Sequence, residues 1–313
     1  MDCNGEMLSI HLTDMCNNKC WFCVVDSPGL RRELVSRSKI DRFLEAHKGM
    51  GYAAVNLHGG EPTVRKDFIE ILEKIRDCGY PRVILQTNAR RLANEEFAKK
   101  VVELGVDLVV VSVHGSNAEI HDQITGVPKS FEQAIKGIQN VKKFGAKVRT
   151  NSVVSRMNYE DFPEIAKLLL SLGVDHINIS ALHTVGSAFR NFQKVTPTYK
   201  DSMPYVKEAI ETVKKTDTVI TLEGFPLCTI QGYHDKLIDW ENQKFKMLFR
   251  GVIINNYENY MDDTMRSQGD LCKNCAYNKQ CGGVYKEYIA VRGWDEFAAF
   301  VEEERSMPNA DAE

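Results

Sequence analysis

The segment Ser9-Ile-His-Leu-Thr13-Asp-Met-Cys16-Asn-Asn-Lys-Cys20-Trp-Phe-Cys23 runs from a short β-branched apolar stretch straight into a loop with cysteines at i, i+4 and i+7. The stretch reads as a strand, and thiolates so spaced in a short loop can converge on one metal centre. A structural zinc site ordinarily adds a fourth Cys or His at matching spacing. A [4Fe–4S] cluster held by three thiolates instead leaves one iron open to a substrate or cofactor. The nearest imidazole, His11, lies on the strand and faces core or barrel interior. Zinc stays open as the alternative on this loop alone.

Working outward, residues 9 to about 217 alternate short apolar runs with helix-period stretches, the pattern of repeated βα units around a parallel sheet. Six strands are predicted, at 9–13, 54–58, 82–88, 108–113, 147–154 and 176–181, with helices near 38–50, 66–78, 95–104, 130–144, 160–172 and 203–215. The class is α/β, as a partial (β/α)6 TIM-like barrel or an open doubly wound sheet. In both, ligands sit at the carboxyl ends of the strands, so the residues just after each strand are the ones to read for function. Past Asp217 the rhythm stops. Residues 218–225 read as one more strand, followed by loops, a basic and aromatic stretch at 244–250, and more cysteines. The expected organisation is a core over 1–217, a smaller cysteine-rich unit over 218–303 and an aperiodic tail at 304–313.

The 313 residues are 43% hydrophobic and 27% charged, with a formal net charge of −3. No block of five or more like charges occurs, which argues against nucleic acid or an anionic membrane as main partner. The amino terminus carries acids where a signal peptide carries a basic region, and the most apolar run, 108–113, is too short to span a bilayer. A cytoplasmic protein is expected. Nine cysteines in such a chain point to metal or redox chemistry before disulfides. Six fall into two sets, leaving Cys3 near the terminus, Cys78 inside a helix as a packing residue, and Cys228. The second set, Cys272, Cys275 and Cys281, gains a possible fourth thiolate from Cys228, and its spacing alone does not separate zinc from an iron–sulfur cluster.

The first cysteine loop, with Phe22 at its aromatic position, resembles that of the radical S-adenosylmethionine (SAM) superfamily. Other strand ends agree: His58-Gly59-Gly60-Glu61-Pro62-Thr63 resembles the family's GGE-P segment, and Gln86-Thr87-Asn88, Ser112-Val113-His114-Gly115 and Asn151 resemble positions lining its pocket. The stretch from His114 through His121-Asp122-Gln123-Ile124-Thr125-Gly126 is similar to its H-D-x-I-x-G segment, so the likeness spans roughly residues 8–183. The resemblance implies a [4Fe–4S] cluster on Cys16, Cys20 and Cys23 whose open iron binds SAM, with Phe22, Gly59, Gly60, Glu61, Pro62, Asn88, Ser112 and Asn151 around the cofactor. It also implies an electron donor such as flavodoxin or ferredoxin, reductive cleavage of SAM to a 5′-deoxyadenosyl radical, and hydrogen abstraction from a substrate. Read by itself, the Gly59-Gly60 pair suits either a tight turn or a ligand pressed against main chain, and Glu61 suits a helix cap.

Behind such a core, Cys228, Cys272, Cys275 and Cys281 resemble a SPASM/twitch extension. About seven cysteines would serve two clusters there; four imply one auxiliary [4Fe–4S] cluster, with Cys228 the ligand that could equally be a buried small hydrophobe. The first cluster cysteine stands at residue 16, which leaves no room for a peptide-recognition domain before it and favours a small-molecule substrate over a ribosomally made peptide. A non-catalytic zinc protein is the remaining alternative. Of the strand-end groups His58, His114, His121, Asp122, His183, Tyr199 and Glu223, the pair His114 and His183 is the preferred catalytic set. Tyr257, Tyr260 and Tyr277 read as core or rim aromatics.

Overall fold

The computed structural model describes residues 6–27, 34–238, 244–255 and 264–300. Seven strands lie side by side in chain order and parallel: β1 (Met7–His11), β2 (Ala54–His58), β3 (Val83–Thr87), β4 (Val106–Ser112), β5 (Lys147–Val153), β6 (His176–Ser180) and β7 (Val219–Glu223). β8 (Phe245–Phe249) adds to the free side of β1 in parallel, and β9 (Val252–Ile254) closes that edge antiparallel to β8. The resulting nine-stranded order is β7-β6-β5-β4-β3-β2-β1-β8-β9. β1 and β6 are buried along their whole length, as strands of a parallel sheet covered on both faces must be.

The α/β class and the partial barrel are as the sequence indicates, and the sheet extends beyond the six expected units. The run at 218–225 becomes β7, seated on β6, and the basic, aromatic stretch at 244–250 contains β8, seated on β1. Both lie past residue 217, so chain from beyond the expected core completes the core sheet. No periodicity announces this, because pairing with β1 is decided by which strand edge remains open.

The helices cover the sheet: α1 (Arg37–His47), α2 (Phe68–Asp77), α3 (Glu95–Glu103), α4 (Ala118–Thr125), α5 (Ser130–Lys143), α6 (Phe162–Ser171), the short α7 (Ser187–Arg190) and α8 (Phe192–Val195), and α9 (Tyr199–Val213). The burial pattern is the helical period. α2 buries Phe68, Ile71, Leu72 and Ile75, and α6 buries Phe162, Ile165, Ala166 and Leu169; each such large side chain contributes about 1.5–3 kcal/mol by leaving water. Side-chain caps set the starts of α3, α4 and α9. Asn94 Oδ1 accepts from the Phe97 amide at 2.8 Å, and Asn117 Oδ1 from the Ile120 amide at 3.1 Å. Thr198 Oγ1 accepts from the Asp201 amide at 3.0 Å, which starts α9 four residues before the expected position and places Pro204 inside it.

α4 falls where the sequence suggested only a motif. Its Asp122 accepts through Oδ1 from Ser130 Oγ and the Phe131 amide, both at 2.8 Å, and through Oδ2 from the Lys129 amide at 2.6 Å. The carboxylate thus satisfies the orphan donors at the start of α5; its role is structural. His121 Nδ1 accepts from the His114 amide at 3.1 Å.

The carboxy-terminal segment forms a small ribbon of β10 (Arg266–Ser267) and β11 (Val284–Tyr285), then α10 (Lys286–Arg292). Its described residues pack on the main core. Tyr285, Tyr288 and Phe297 join the main hydrophobic cluster with Tyr199 and Phe225, and the Tyr199 amide donates to Glu296 Oε2 at 2.7 Å. Tyr199 is therefore a packing residue between α9 and this segment, as is Tyr277 against His234 and Phe300. Among the described residues no helix is long and apolar enough to cross a membrane. Cys3, Tyr257, Tyr260 and the expected tail lie outside the described residues.

His121 and His176 are buried, and desolvation holds them near 4 and near 3, well below the ordinary imidazole value of 6.5. Both are neutral in the fold, whereas in the unfolded chain they protonate below about 6.5. The unfolded state therefore binds more protons between about pH 6.5 and 4, and stability falls as pH falls through that window. Calorimetry at pH 7.5, 6.5 and 5.5 is expected to give a Tm that is nearly level at first and then declines, with proton uptake on unfolding.

Candidate active site

The loop after β1 is held by main chain on several sides. The Lys19 and Trp21 amides donate to the Thr125 and Ile124 carbonyls of α4 at 2.7 and 3.2 Å. The Ser187 amide, opening α7, donates to the Cys23 carbonyl at 3.0 Å, and Asn191 Nδ2 to the Trp21 carbonyl at 3.1 Å. From the β8 side, Arg250 donates through Nε to Asp14 Oδ1 at 3.1 Å and through a terminal nitrogen to the Val25 carbonyl at 3.3 Å. His11, on β1, places Nε2 2.7 Å from Asp14 Oδ1, so it orients the loop's entry.

Within this frame the thiols are cradled by donors. The Asn18 amide lies 3.3 Å from Cys16 Sγ, the Ser27 amide 3.4 Å from Cys23 Sγ, and Asn88 Nδ2 3.7 Å from Cys16 Sγ. Hydrogen bonds to sulfur of this kind stabilise thiolate and tune an iron–sulfur potential. Burial first, then the negative Glu61, pushes the Cys16 thiol up to about 12, and burial with the neighbouring thiols raises Cys20. Buried thiols this reluctant to ionise call for a compensating positive centre. Among the described residues no group of three or more His, Cys, Asp or Glu converges as a single metal ion requires. Three thiols with amide donors to sulfur suit a multi-iron cluster, whose ligands sit on different irons.

Gly59 and Gly60 follow β2, and their missing side chains matter first to the protein's own backbone. Gly59 has φ +138°, and a Cβ there would stand 2.4 Å from the Thr13 carbonyl oxygen; one on Gly60 would stand 2.4 Å from that of Met15. The Gly60 and Glu61 amides donate to those same carbonyls at 2.6 and 2.8 Å. The glycines thus let the segment after β2 lie flat against the approach to Cys16.

Glu61 and Pro62, expected among the cofactor contacts, do not line the cavity described below. The Glu61 carboxylate is fully buried and committed: Oε1 accepts from the Thr63 amide, Thr63 Oγ1 and Thr87 Oγ1 at 3.1, 2.5 and 2.7 Å, and Oε2 from the Asn88 amide at 2.7 Å. It clamps the ends of β2 and β3 together. Asn88, so placed, donates Nδ2 to Asn17 Oδ1 at 2.6 Å and reaches Cys16.

A cavity of about 800 Å³ opens at the carboxyl ends of the strands. Cys16, Cys20, Cys23, Phe22, Gly59, Gly60, Asn88, Ser112 and Asn151 line it, and so do the preferred histidines His114 and His183. His114 is buried, held near 3 by desolvation and by His121, and packed edge-on against Phe22 with ring centroids 4.9 Å apart. Its Nδ1 faces the Val153 amide at 3.4 Å, which puts the proton on Nε2. Such a ring is a neutral donor and a weak base. His183 is held near 4 by burial first and then Arg266; it stacks on Tyr285 at 4.3 Å, and its buried Nε2 has no hydrogen-bond partner among the described residues.

The second cysteine set contributes a wall of the same cavity through Cys281, together with Arg266, Tyr277 and Tyr285. Cys228 follows β7 and comes near this set. Burial first, with like-charge coupling to Cys281 and Cys272 among the further causes, pushes its thiol up to about 11, and Cys272 is raised by burial and by Cys281 and Cys275. Sequence reasoning missed the Arg266 and His234 walls, which carry no local signal. It also passed over Asn178 and Ser180, whose signal was present: polar residues alternating with Ile177 and Ile179 on a buried strand.

The model of the Radical SAM superfamily matches residues 10–169, just over half of the chain. A probable GTP 3′,8-cyclase of Saccharolobus islandicus is 33% identical over 209 residues, 66% of this chain and 65% of that protein; another, of Sulfurisphaera tokodaii, is 31% identical over 189 residues, 60% and 59% of the two chains. The chain thus spans about two thirds or less of the length of these relatives. In fold it is similar to Streptococcus suis SuiB bound to S-adenosylmethionine (TM-score 0.65, 18% identity, 94% of this chain and 76% of that one). It is likewise similar to anSMEcpe with bound AdoMet and a Cp18Cys peptide (TM-score 0.65, 17% identity, 95% and 93%). The protein belongs to the radical SAM superfamily, enzymes that work through SAM and a SAM-binding [4Fe–4S] cluster.

Proposed function

We propose that Cys16, Cys20 and Cys23 hold the SAM-binding cluster, that Phe22, Gly59, Gly60, Asn88, Ser112 and Asn151 surround SAM, and that Cys228, Cys272, Cys275 and Cys281 hold one auxiliary [4Fe–4S] cluster. The substrate is a small molecule oxidised or rearranged between them. The observation that carries this reading is that cysteines of both sets open onto one cavity of about 800 Å³, within the roughly 300–1,000 Å³ usual for small-molecule sites. When bound, the cluster and SAM supply the one-electron chemistry that removes a hydrogen atom from the substrate.

The chain's own residues position and shield. Glu61 and the glycines seat the cysteine loop; His114 offers a fixed Nε2–H donor beside Phe22; the stacked His183 and Tyr285 form an aromatic wall that keeps water out. A neutral His114 near 3 acts by orientation rather than by taking a proton at neutral pH. An external carrier such as flavodoxin or ferredoxin supplies the electron. All eight described cysteines are unpaired, as a cytoplasmic setting favours.

Replacing Cys16, Cys20 and Cys23 together by alanine is expected to abolish dithionite-driven formation of 5′-deoxyadenosine and to lower bound iron from about 8 to about 4 per chain; retained cleavage, or loss of all iron, counts against the two-cluster assignment. Incubation with deuterated candidates, read as deuterium in 5′-deoxyadenosine, separates the substrate classes. Transfer from a small metabolite is expected, and transfer only from a peptide selects the maturase alternative. Glu61→Ala strands four buried donors and is expected to lower unfolding stability by about 2–5 kcal/mol and to reduce iron retained at the first site, measured by denaturant titration and iron analysis.

A further inference from the structure

The inner ends of β5, β6 and β7 carry a polar chain running from Glu223 to Asn151. Asn178 is fully buried. Its Nδ2 has two hydrogens, which meet Glu223 Oε2 at 2.8 Å and Asn151 Oδ1 at 2.9 Å, and it lies 3.0 Å from Ser180 Oγ. Ser180 Oγ lies 2.7 Å from Asn151 Oδ1 and 3.1 Å from Glu223 Oε2. On the other side, Thr221 Oγ1 donates to Asn178 Oδ1 at 2.7 Å and sits 2.7 Å from His176 Nε2.

The direction of these bonds follows from elementary chemistry. His176 is neutral, so an Nε2–H can donate to Thr221, whose hydroxyl then donates to the Asn178 carbonyl, turning the Asn178 amide nitrogen toward Glu223. An ionised carboxylate only accepts, so Glu223, which is also paired with Arg149 of β5 at 3.8 Å, ends the run of side-chain donors and fixes its polarity. Asn178 Nδ2 gives one hydrogen to Glu223 and one to the carbonyl of Asn151, and the single hydrogen of Ser180 Oγ has its nearer acceptor in that same carbonyl, at 2.7 Å against 3.1 Å. That oxygen is therefore turned into the network, and the Asn151 NH₂ is left as the end that can serve the cavity, which Asn151 lines.

We propose that Glu223 is a positioning residue for SAM: through Asn178 and Ser180 it locks the Asn151 side-chain amide with its NH₂ toward an acceptor atom of the bound cofactor. The proposal rests on the reading of Asn151 as a SAM contact. It assigns to a carboxylate outside the cysteine loop and the segment after β2 a role in cofactor affinity. Because Glu223 also lines the cavity, whatever occupies its neighbourhood feels the same network that orients the SAM contact.

The test is equilibrium dialysis of SAM against the anaerobically reconstituted holoenzyme, kept oxidised so that SAM is not consumed. Asn151→Ala is expected to weaken SAM binding about three- to tenfold, the worth of one hydrogen bond. Glu223→Leu is expected to weaken it by a similar factor, while Glu223→Gln, which keeps an acceptor oxygen in place, stays within about twofold of the parent. In the Asn151→Ala background Glu223→Leu should cost nothing further, because its effect passes through that amide. Parent-like binding by Glu223→Leu alongside a weakened Asn151→Ala overturns the proposal and leaves the site reading standing. A Glu223→Leu loss that persists in full in the Asn151→Ala background, or is not rescued by glutamine, marks a merely structural effect and overturns it as well. Unchanged binding by Asn151→Ala removes the assignment of Asn151, and the proposal with it.

Discussion

The buried carboxylate of Glu61 is the tie on which the site depends. Its two oxygens take four donors from the exits of β2 and β3, and through Asn88 the same tie reaches Asn17 and Cys16. Burial raises this carboxyl while the four donors work to keep it charged. A group so expensive to bury holds its surroundings in one arrangement, since any shift of β3 against β2 strands an acceptor or a donor in low dielectric. The cysteine loop inherits that rigidity from strand ends rather than from its own sequence.

A second constraint is steric. Residues 13–15 and the segment after β2 approach so closely that Cβ atoms at 59 and 60 would meet carbonyl oxygens at 2.4 Å. The paired amides there continue the β1–β2 ladder beyond the regular strands, which carries the chain to Cys16 in a set direction. The two glycines pack against the chain's own backbone on one side and border the cavity on the other; the turn and the cavity lining are one feature.

The carboxy-terminal segment is joined to this framework twice. β8 completes the sheet beside β1 and sends Arg250 to Asp14 and Val25, while Tyr285, Tyr288 and Phe297 enter the core next to α9. Segments remote in sequence from the first cysteine loop thus brace it and wall its cavity. That economy of core explains why chain beyond residue 217 cannot be removed without opening an edge of the sheet.

The residue pattern alone was enough for the parallel α/β plan, because strands buried on both faces must be runs of apolar side chains and their helices must repeat at 3.6 residues; the strand at 54–58 falls where the pattern placed it. It also singled out the cysteine loop and the strand-end residues, whose chemistry is local. Tertiary structure alone decided the rest. Glu61 acts as a clamp between the exits of β2 and β3 because its partners are the side chains and amides of 63, 87 and 88. Cys228 comes near Cys272 and Cys281 because the small ribbon, through Tyr285 and Arg266, lies against Gly224 at the exit of β7. Spacing along a chain records which groups are neighbours in sequence; hydrogen-bond partners and electrostatic neighbours across 40 residues depend on which strand edge is open and which core face is left to cover.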